Sequence, residues 1–195
     1  MSFAGKGYKV PTKSRYLKLK DGDLKFKILS DAIKGYAFWI DKEPRRYKED
    51  AKIPDGLALK AANQAQFGDG SYHFLTFIVY DFNESREDQR VKILELTQGG
   101  LKKKLVALAE NEDWGDPVGR YDISITKTGS GKETRYELIP LPETKIDKSY
   151  LDISHIDLSA LYRGEDPFGV KTSISKPTKV ESNRDKAVDP DSIPF

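Results

Sequence analysis

An all-β domain carrying one main helix is what this chain predicts, and three observations lead to it. Apolar residues recur with a period of two in Leu24, Phe26 and Ile28 and again in Tyr121, Ile123 and Ile125. Aromatic and β-branched residues crowd YHFLTFIVYDF (Tyr72 to Phe82), and a single stretch, after Thr97, spaces its leucines as a helix does.

The elements follow in chain order. Asp21-Gly22 bends the chain into a first strand, whose Lys25 and Lys27 lie on the face opposite Leu24, Phe26 and Ile28. GYAFWI (Gly35 to Ile40) is a second strand, near enough to pair with the first across SDAIK. Every position in it is apolar, so alternation leaves open whether Phe38 or Trp39 faces out. A polar, proline-punctuated stretch from Asp41 to Asp69 interrupts the pattern. Tyr72 to Phe82 then gives a long strand with Phe77 and Val79 in the core, and RVKILEL (Arg90 to Leu96) another, across the charged turn NESREDQ. Thr97 is expected to cap a helix that stacks Leu101, Leu105 and Leu108 and turns Lys102, Lys103 and Lys104 outward. NEDWGDP ends it. RYDISIT (Arg120 to Thr126), KTGSGK and TRYELIPL make a hairpin, and IDLSALY (Ile156 to Tyr162) a short helix capped by Asp157.

Strands with one helix before the last hairpin follow the order of an OB-fold barrel, β-β-β-α-β-β, and the strand Arg90 to Leu96 is extra to that minimal plan. The chain divides accordingly. Residues 1–15 form a basic arm, 16–163 the OB-fold domain, and 164–195 a flexible tail, too poor in apolar surface to offset about 1–2 kcal/mol of backbone entropy per residue.

Composition narrows the function classes. An apolar share of 37% suffices for one core, and the absence of cysteine removes disulfides, thiolate zinc sites and cysteine nucleophiles together. With no signal-peptide h-region and no membrane-length apolar run, a soluble intracellular protein is expected. The net charge of +2 conceals an asymmetry: Lys6, Lys9, Lys13, Arg15, Lys18 and Lys20 precede the first acid. Such an arm is either a solvated terminus or a set of phosphate contacts.

Enzyme patterns fit poorly. TKTGSGKET departs from a phosphate loop at two positions, Thr126 and Glu133, and a hairpin turn accounts for its glycines. His73 and His155 are far apart and lack zinc-like spacing. Asp81, Glu84, Glu87 and Asp88 cluster at one turn, where a metal-dependent nuclease is the conceivable chemistry and solvated acids the commoner one. No enzyme, no cofactor and no metal are expected.

A nucleic-acid reading fits better. Single strands are held by aromatic side chains that stack on bases, in a groove whose cations follow the phosphates. Tyr36, Phe38 and Trp39 are followed by Lys42, Arg45, Arg46, Tyr47 and Lys48; Lys25 and Lys27 face out from the neighbouring strand; Lys127, Lys132, Arg135 and Tyr136 lie on or beside the last hairpin. Taken singly, each aromatic is more often core.

These residues also carry a resemblance. LKFKILSDAIKGYAFWIDKEPRR, FIVYDF, VKILELTQGGLKKKL and EDWGDPVGRYDISITKTGSGKETRYELIPLP, over roughly Leu17 to Pro142, resemble the phage single-stranded DNA-binding proteins of OB fold related to the T-even phage helix-destabilising protein. The resemblance implies a sequence-independent binder that coats single-stranded DNA in phage replication, recombination and repair, in the cytoplasm of the infected host. By position, Lys27, Trp39, Arg45, Arg46 and Tyr136 are its carry-over candidates. The T-even protein carries a zinc-binding insertion of cysteine and histidine; the insert Asp41 to Asp69 has neither, so no zinc is expected. The tip DPDSIPF resembles the tail of bacterial single-stranded DNA-binding proteins. That implies partner docking by Asp189, Asp191, Ile193, Pro194 and Phe195, the aromatic entering an apolar pocket and the acids meeting a basic rim. An RNA- or protein-binding module of the same fold is the alternative.

Overall fold

Leu24, Phe26 and Ile28 are buried on one face of their strand, and everything else in the fold is arranged around that face. The computed structural model describes residues 15–41, 43–65, 70–147 and 151–169. Its strands are β1 (Tyr16–Leu17), β2 (Gly22–Ile28), β3 (Ile33–Ile40), β4 (Glu43–Lys48), β5 (Ser71–Asp81), β6 (Val91–Leu96), β7 (Asp122–Thr128) and β8 (Arg135–Leu141). Two α-helices, α1 (Leu57–Gln64) and α2 (Gly99–Ala109), join them, with a 3-10 turn over Leu158–Arg163.

The protein is therefore mostly β, in one mixed sheet ordered β1-β6-β5-β2-β7-β8, with β3 pairing both β5 and β4. The length of β5 makes this possible. Its first half pairs with β3 (Gly35 opposite Phe74) and its second with β2 (Ile28 opposite Val79), so β2 and β3 share one edge of the same strand. Closure into a barrel is not made: among the described residues no ladder joins β8 to β6 or β1. Instead β1 lies parallel along the outer edge of β6, and α2 packs against β8, where Lys104 Nζ donates to the Tyr136 carbonyl at 2.7 Å.

Inside the curl, Phe26, Phe77, Leu94, Ile123, Leu101 and their neighbours form the main core. The outer face is covered as well. Ile156 and Leu158 close over Ile78 and Ile93, and Phe168 packs beside them. The segment Gly164 to Gly169, expected in the tail, thus belongs to the folded unit, while residues 170–195 lie outside the described residues.

Several local expectations change. The insert Asp41 to Asp69 contains β4 and α1, where the sequence pattern showed no element. Pro44 fits because β4 is an edge strand, whose outward N–H positions need no partner. Gln98, not Thr97, stands at the cap of α2 and makes no side-chain capping bond. Asp157 does cap its turn, accepting from Ser159 N at 2.9 Å.

Candidate nucleic-acid interface

GYAFWI resolves by register. Gly35, Ala37 and Trp39 point to the outer face of the sheet, and Tyr36, Phe38 and Ile40 to the inner one. Beyond the main core, Phe38 meets α1 and the insert: it is 4% exposed, packed with Ile40 and Ala61 against Tyr47, Ile53 and Leu57. Phe38, expected as a stacking side chain, is thus a core residue of the hairpin. Tyr47 is its edge-on neighbour at 6.1 Å. Trp39, one position on, is 50% exposed.

Around Trp39 the outer face carries a group that spans five strands. Tyr72 lies opposite Ala37, on the face that Trp39 shares, and Trp39 is close enough to lower the Tyr72 hydroxyl against the larger effect of its burial. From the other side of Ala37, Arg46 reaches across β3 and β5 to Glu95 on β6, Nε to Oε2 at 2.9 Å. Gly35 and Ala37 leave room for that crossing, and the guanidinium passes 5.9 Å from the Phe74 ring. A Cβ on Gly35 would stand 1.9 Å from the Tyr47 carbonyl oxygen, so only glycine lets β4 approach β3 this closely. Tyr16 of β1 completes the group. Burial pushes the hydroxyls of Tyr16 and Tyr72 above the usual tyrosine value, with the Glu95 carboxylate adding to the rise and Arg46 opposing it.

Tyr36 is 41% exposed on the opposite face, edge-on to His73 at 5.3 Å. His73 Nε2 pairs with Glu49 at 2.8 Å, and Lys102 of α2 donates to the His73 carbonyl. Burial lowers the Lys102 ammonium below the usual lysine value. Tyr36 and Trp39 therefore address separate surfaces.

The expected cations fare differently. Lys27 keeps its predicted face but is 4% exposed, because residues 143–144 cross over it: its Nζ donates to Glu143 Oε1 at 3.0 Å and to the Thr144 carbonyl at 2.9 Å. Asp122, fully buried, lies 3.6 Å from Lys27 Nζ and 3.1 Å from Lys25 Nζ. Lys25 also donates to Thr144 Oγ1 and lies 4.8 Å from the Phe82 ring. Two carboxylates thus hold lysines that the sequence pattern offered to phosphates. Arg45 is exposed beside Glu43 at 3.3 Å. Lys127 pairs with Asp21 at 2.7 Å, Arg135 is exposed, and Tyr136 packs against the main core. These last three lie beyond the Asp81 end of β5, whereas Trp39 lies beyond its Ser71 end, so one short groove does not contain both sets. Lys42 and the tip residues Asp189, Asp191, Ile193, Pro194 and Phe195 lie outside the described residues.

The acidic turn is internally neutralised. Lys92 Nζ donates to Asp81 Oδ2 at 2.8 Å and Glu84 Oε2 at 2.9 Å, and Arg86 pairs with Asp88 at 3.2 Å. Burial alone would lower the Lys92 ammonium, but those two carboxylates raise it on balance, and its hydrogen bond holds Glu84 below the usual carboxylate range. Among the described residues no group of histidine and acidic side chains is arranged to hold a metal ion, and no helix is long and apolar enough to cross a membrane.

Tyr16 and Tyr72 were not singled out from the sequence. The signal available for Tyr72 was its parity: it stands an even number of places from Phe74 and Thr76 and an odd number from Phe77, which puts it on the outer face once Phe77 is assigned to the core. No family model, curated protein or solved structure matches this chain.

Proposed function

We propose that this protein binds single-stranded DNA without sequence preference, coats and protects it in phage replication, recombination and repair, and performs no catalysis. The observation that carries the reading is Trp39: a half-exposed indole on the same outer face as Tyr72 and Arg46, where Ile156, Leu158 and Phe168 cover the neighbouring Ile78 and Ile93. An exposed aromatic platform suits any base, because every base has a π-face, and stacking contributes about 1–3 kcal/mol per base.

We further read the sheet as a variant of the OB plan. In that plan β2 with β3, then β5, β6, α2, β7 and β8 stand in order, and β4 with α1 is an elaboration of the first connecting loop. OB domains use the face of their second and third strands together with two loops. Here that face, on β5 and β6, is occupied by Ile156, Leu158 and Phe168, so the site shifts to the β3–β4 hairpin. Recruitment of replication or recombination proteins through Asp189 to Phe195 belongs to the same proposal and rests on the sequence alone.

Fluorescence tests it directly, since the chain has two tryptophans and Trp114, partly buried against the main core, is edge-packed on Tyr121 at 5.1 Å. Titration with oligo-dT should quench a signal that Trp39→Phe removes, and the matching duplex should quench far less. Equal quenching in wild type and Trp39→Phe, or no gel-shift complex with either nucleic acid, would overturn the proposal.

A further inference from the structure

Helix α2 buries Leu101 and Leu105 in the main core and lays a second stripe, Lys102, Lys103 and Val106, along a groove. The facing wall is Lys34 of β3 with His73 and Leu75 of β5. Between the walls lies a cavity of about 590 Å³, within the range of sites that hold small organic ligands. It opens on the side of the sheet that carries Tyr36, whose ring meets His73 edge-on at 5.3 Å, and so away from Trp39. Leu75, Val106 and the lysine stems make its lining largely apolar.

This groove holds a cation without a counter-ion. Lys102 Nζ lies 3.2 Å from His73 Nδ1 and also donates to the His73 carbonyl. An ammonium only donates, so Nδ1 accepts and the ring proton sits on Nε2, which faces Glu49 at 2.8 Å. Two of the three ammonium protons are thus spent on His73, and among the described residues the third meets no acceptor. No carboxylate pairs with it either. Glu49 is taken by His73 and by Lys34, the latter at 3.1 Å, and Glu110 stands about two turns further along α2. Burial accordingly lowers the Lys102 ammonium, with no charge opposing the fall. Lys92, comparably set, is instead raised by Asp81 and Glu84. The exposed Lys103 beside Lys102 is likewise in no ion pair among the described residues.

An anion that brings its own apolar surface would complete both features of the groove. We propose that it is a nucleotide site, with the phosphate between Lys102 and Lys103 and the base along Leu75 and Val106, beside the paired rings of Tyr36 and His73. Adjacent ammonium groups suit phosphate, which lysine binds as a point charge. A base is flat enough for a slot between helix and sheet, and its π-face accepts apolar and aromatic neighbours. The inference does not rest on Trp39, which faces the other side of β3. The nucleotide is either free or one unit of a bound strand, and the recognising chemistry is the same.

The test is heteronuclear amide NMR of the full-length chain, titrated separately with dTMP, thymidine, inorganic phosphate and oligo-dT. Amides of His73, Leu75 and Lys102 to Val106 should shift with dTMP, and far less with thymidine or phosphate at the same concentrations. Lys102→Gln should weaken dTMP binding by roughly 10-fold or more, the loss of a hydrogen bond to a charged group. Val106→Asp, at an exposed position where substitution costs little stability, should abolish it. Oligo-dT separates the sources: groove shifts with the oligonucleotide assign the nucleotide to a bound strand, and groove shifts with dTMP alone assign a free one. Equal shifts with inorganic phosphate and dTMP would overturn the inference, since the base would then contribute nothing. So would the absence of groove shifts with both dTMP and oligo-dT. Binding of oligo-dT at Trp39 is read from its indole resonance and stands or falls separately.

Discussion

At the β2–β7 end of the outer face two lysines lie covered and paired, whereas at the β3–β4 end a tryptophan stands half in solvent. Residue type alone would assign them the other way round. What differs is the cover. Residues 143–144 cross the first region, where the Thr144 carbonyl accepts from Lys27, the Thr144 hydroxyl accepts from Lys25, and the buried Asp122 of β7 lies within reach of both ammonium groups. At the second, the 3-10 turn ends at Arg163, one residue past Tyr162, whose ring tilts against Phe74 at 6.2 Å and whose hydroxyl donates to the Lys34 carbonyl at 2.7 Å. A face of one sheet thus becomes core or platform according to where the chain's own C-terminal segment runs.

The sharpest way to break the comparison is at Asp122. Asp122→Ala leaves Lys27 almost fully buried, without its central counter-ion and beside Lys25. Removing one partner of a buried ion pair costs about 3–5 kcal/mol, so a large drop in urea or thermal stability is expected. A loss below about 1 kcal/mol, the scale of an exposed pair, would mean that water already serves these lysines and that the two regions do not differ.

Next in size is the paired contrast at Phe38 and Trp39, neighbours on one strand. Phe38→Ala should cost about 3–5 kcal/mol of stability, as for other buried phenylalanines. Trp39→Ala should cost at most about 0.5 kcal/mol of stability, in the range of surface substitutions. It should instead weaken single-strand binding by about 1–3 kcal/mol, roughly 5- to 150-fold. Denaturant melts with parallel fluorescence-anisotropy titrations separate the two. Similar melts for both variants would show that the hairpin does not sort its aromatics by face.

How much of this was legible depends on whether the deciding contact is local. Alternation placed Leu24, Phe26 and Ile28 correctly, because burial on one face of a strand writes itself into neighbouring residues. The helix α2 was legible for the same reason, Leu101 and Leu105 being buried at i and i+4. The cover over Lys27 was not, since Glu143 and Thr144 stand more than a hundred positions away. Within GYAFWI, alternation gave no answer because both faces are apolar in type. The answer came from the ladder to β5, which puts Tyr36 opposite His73 and Ala37 opposite Tyr72, so that Trp39 falls on the face of Ala37. The missed β4 has a further cause: EPRRYK is polar because its exposed positions serve the surface, and the half-buried Arg46 is held by pairing with Glu95 rather than by apolarity.

The smallest expected effect lies at the far end of the hairpin and asks whether the exposed region is held as rigidly as the covered one. Glu49, just past β4, accepts from His73 and pairs with Lys34 at 3.1 Å, and these bonds hold its carboxyl below the usual glutamate value. A carboxyl whose value is depressed by folding contributes stability above its unfolded value, about 4.3, and loses that contribution as pH falls through the folded value. Glu49→Gln should therefore reduce amide-exchange protection across Gly35 to Lys48 at neutral pH, and the gap between wild type and variant should close as pH drops below about 4. The effect should be confined to this hairpin, leaving the β2–β7 amides unchanged. Equal loss of protection in both regions would mean that the hairpin and the covered face open as one cooperative unit. A hairpin that joins the sheet through the β3–β5 ladder and packs on its own small cluster outside the main core is instead expected to open alone, at lower free energy than the sheet that carries it.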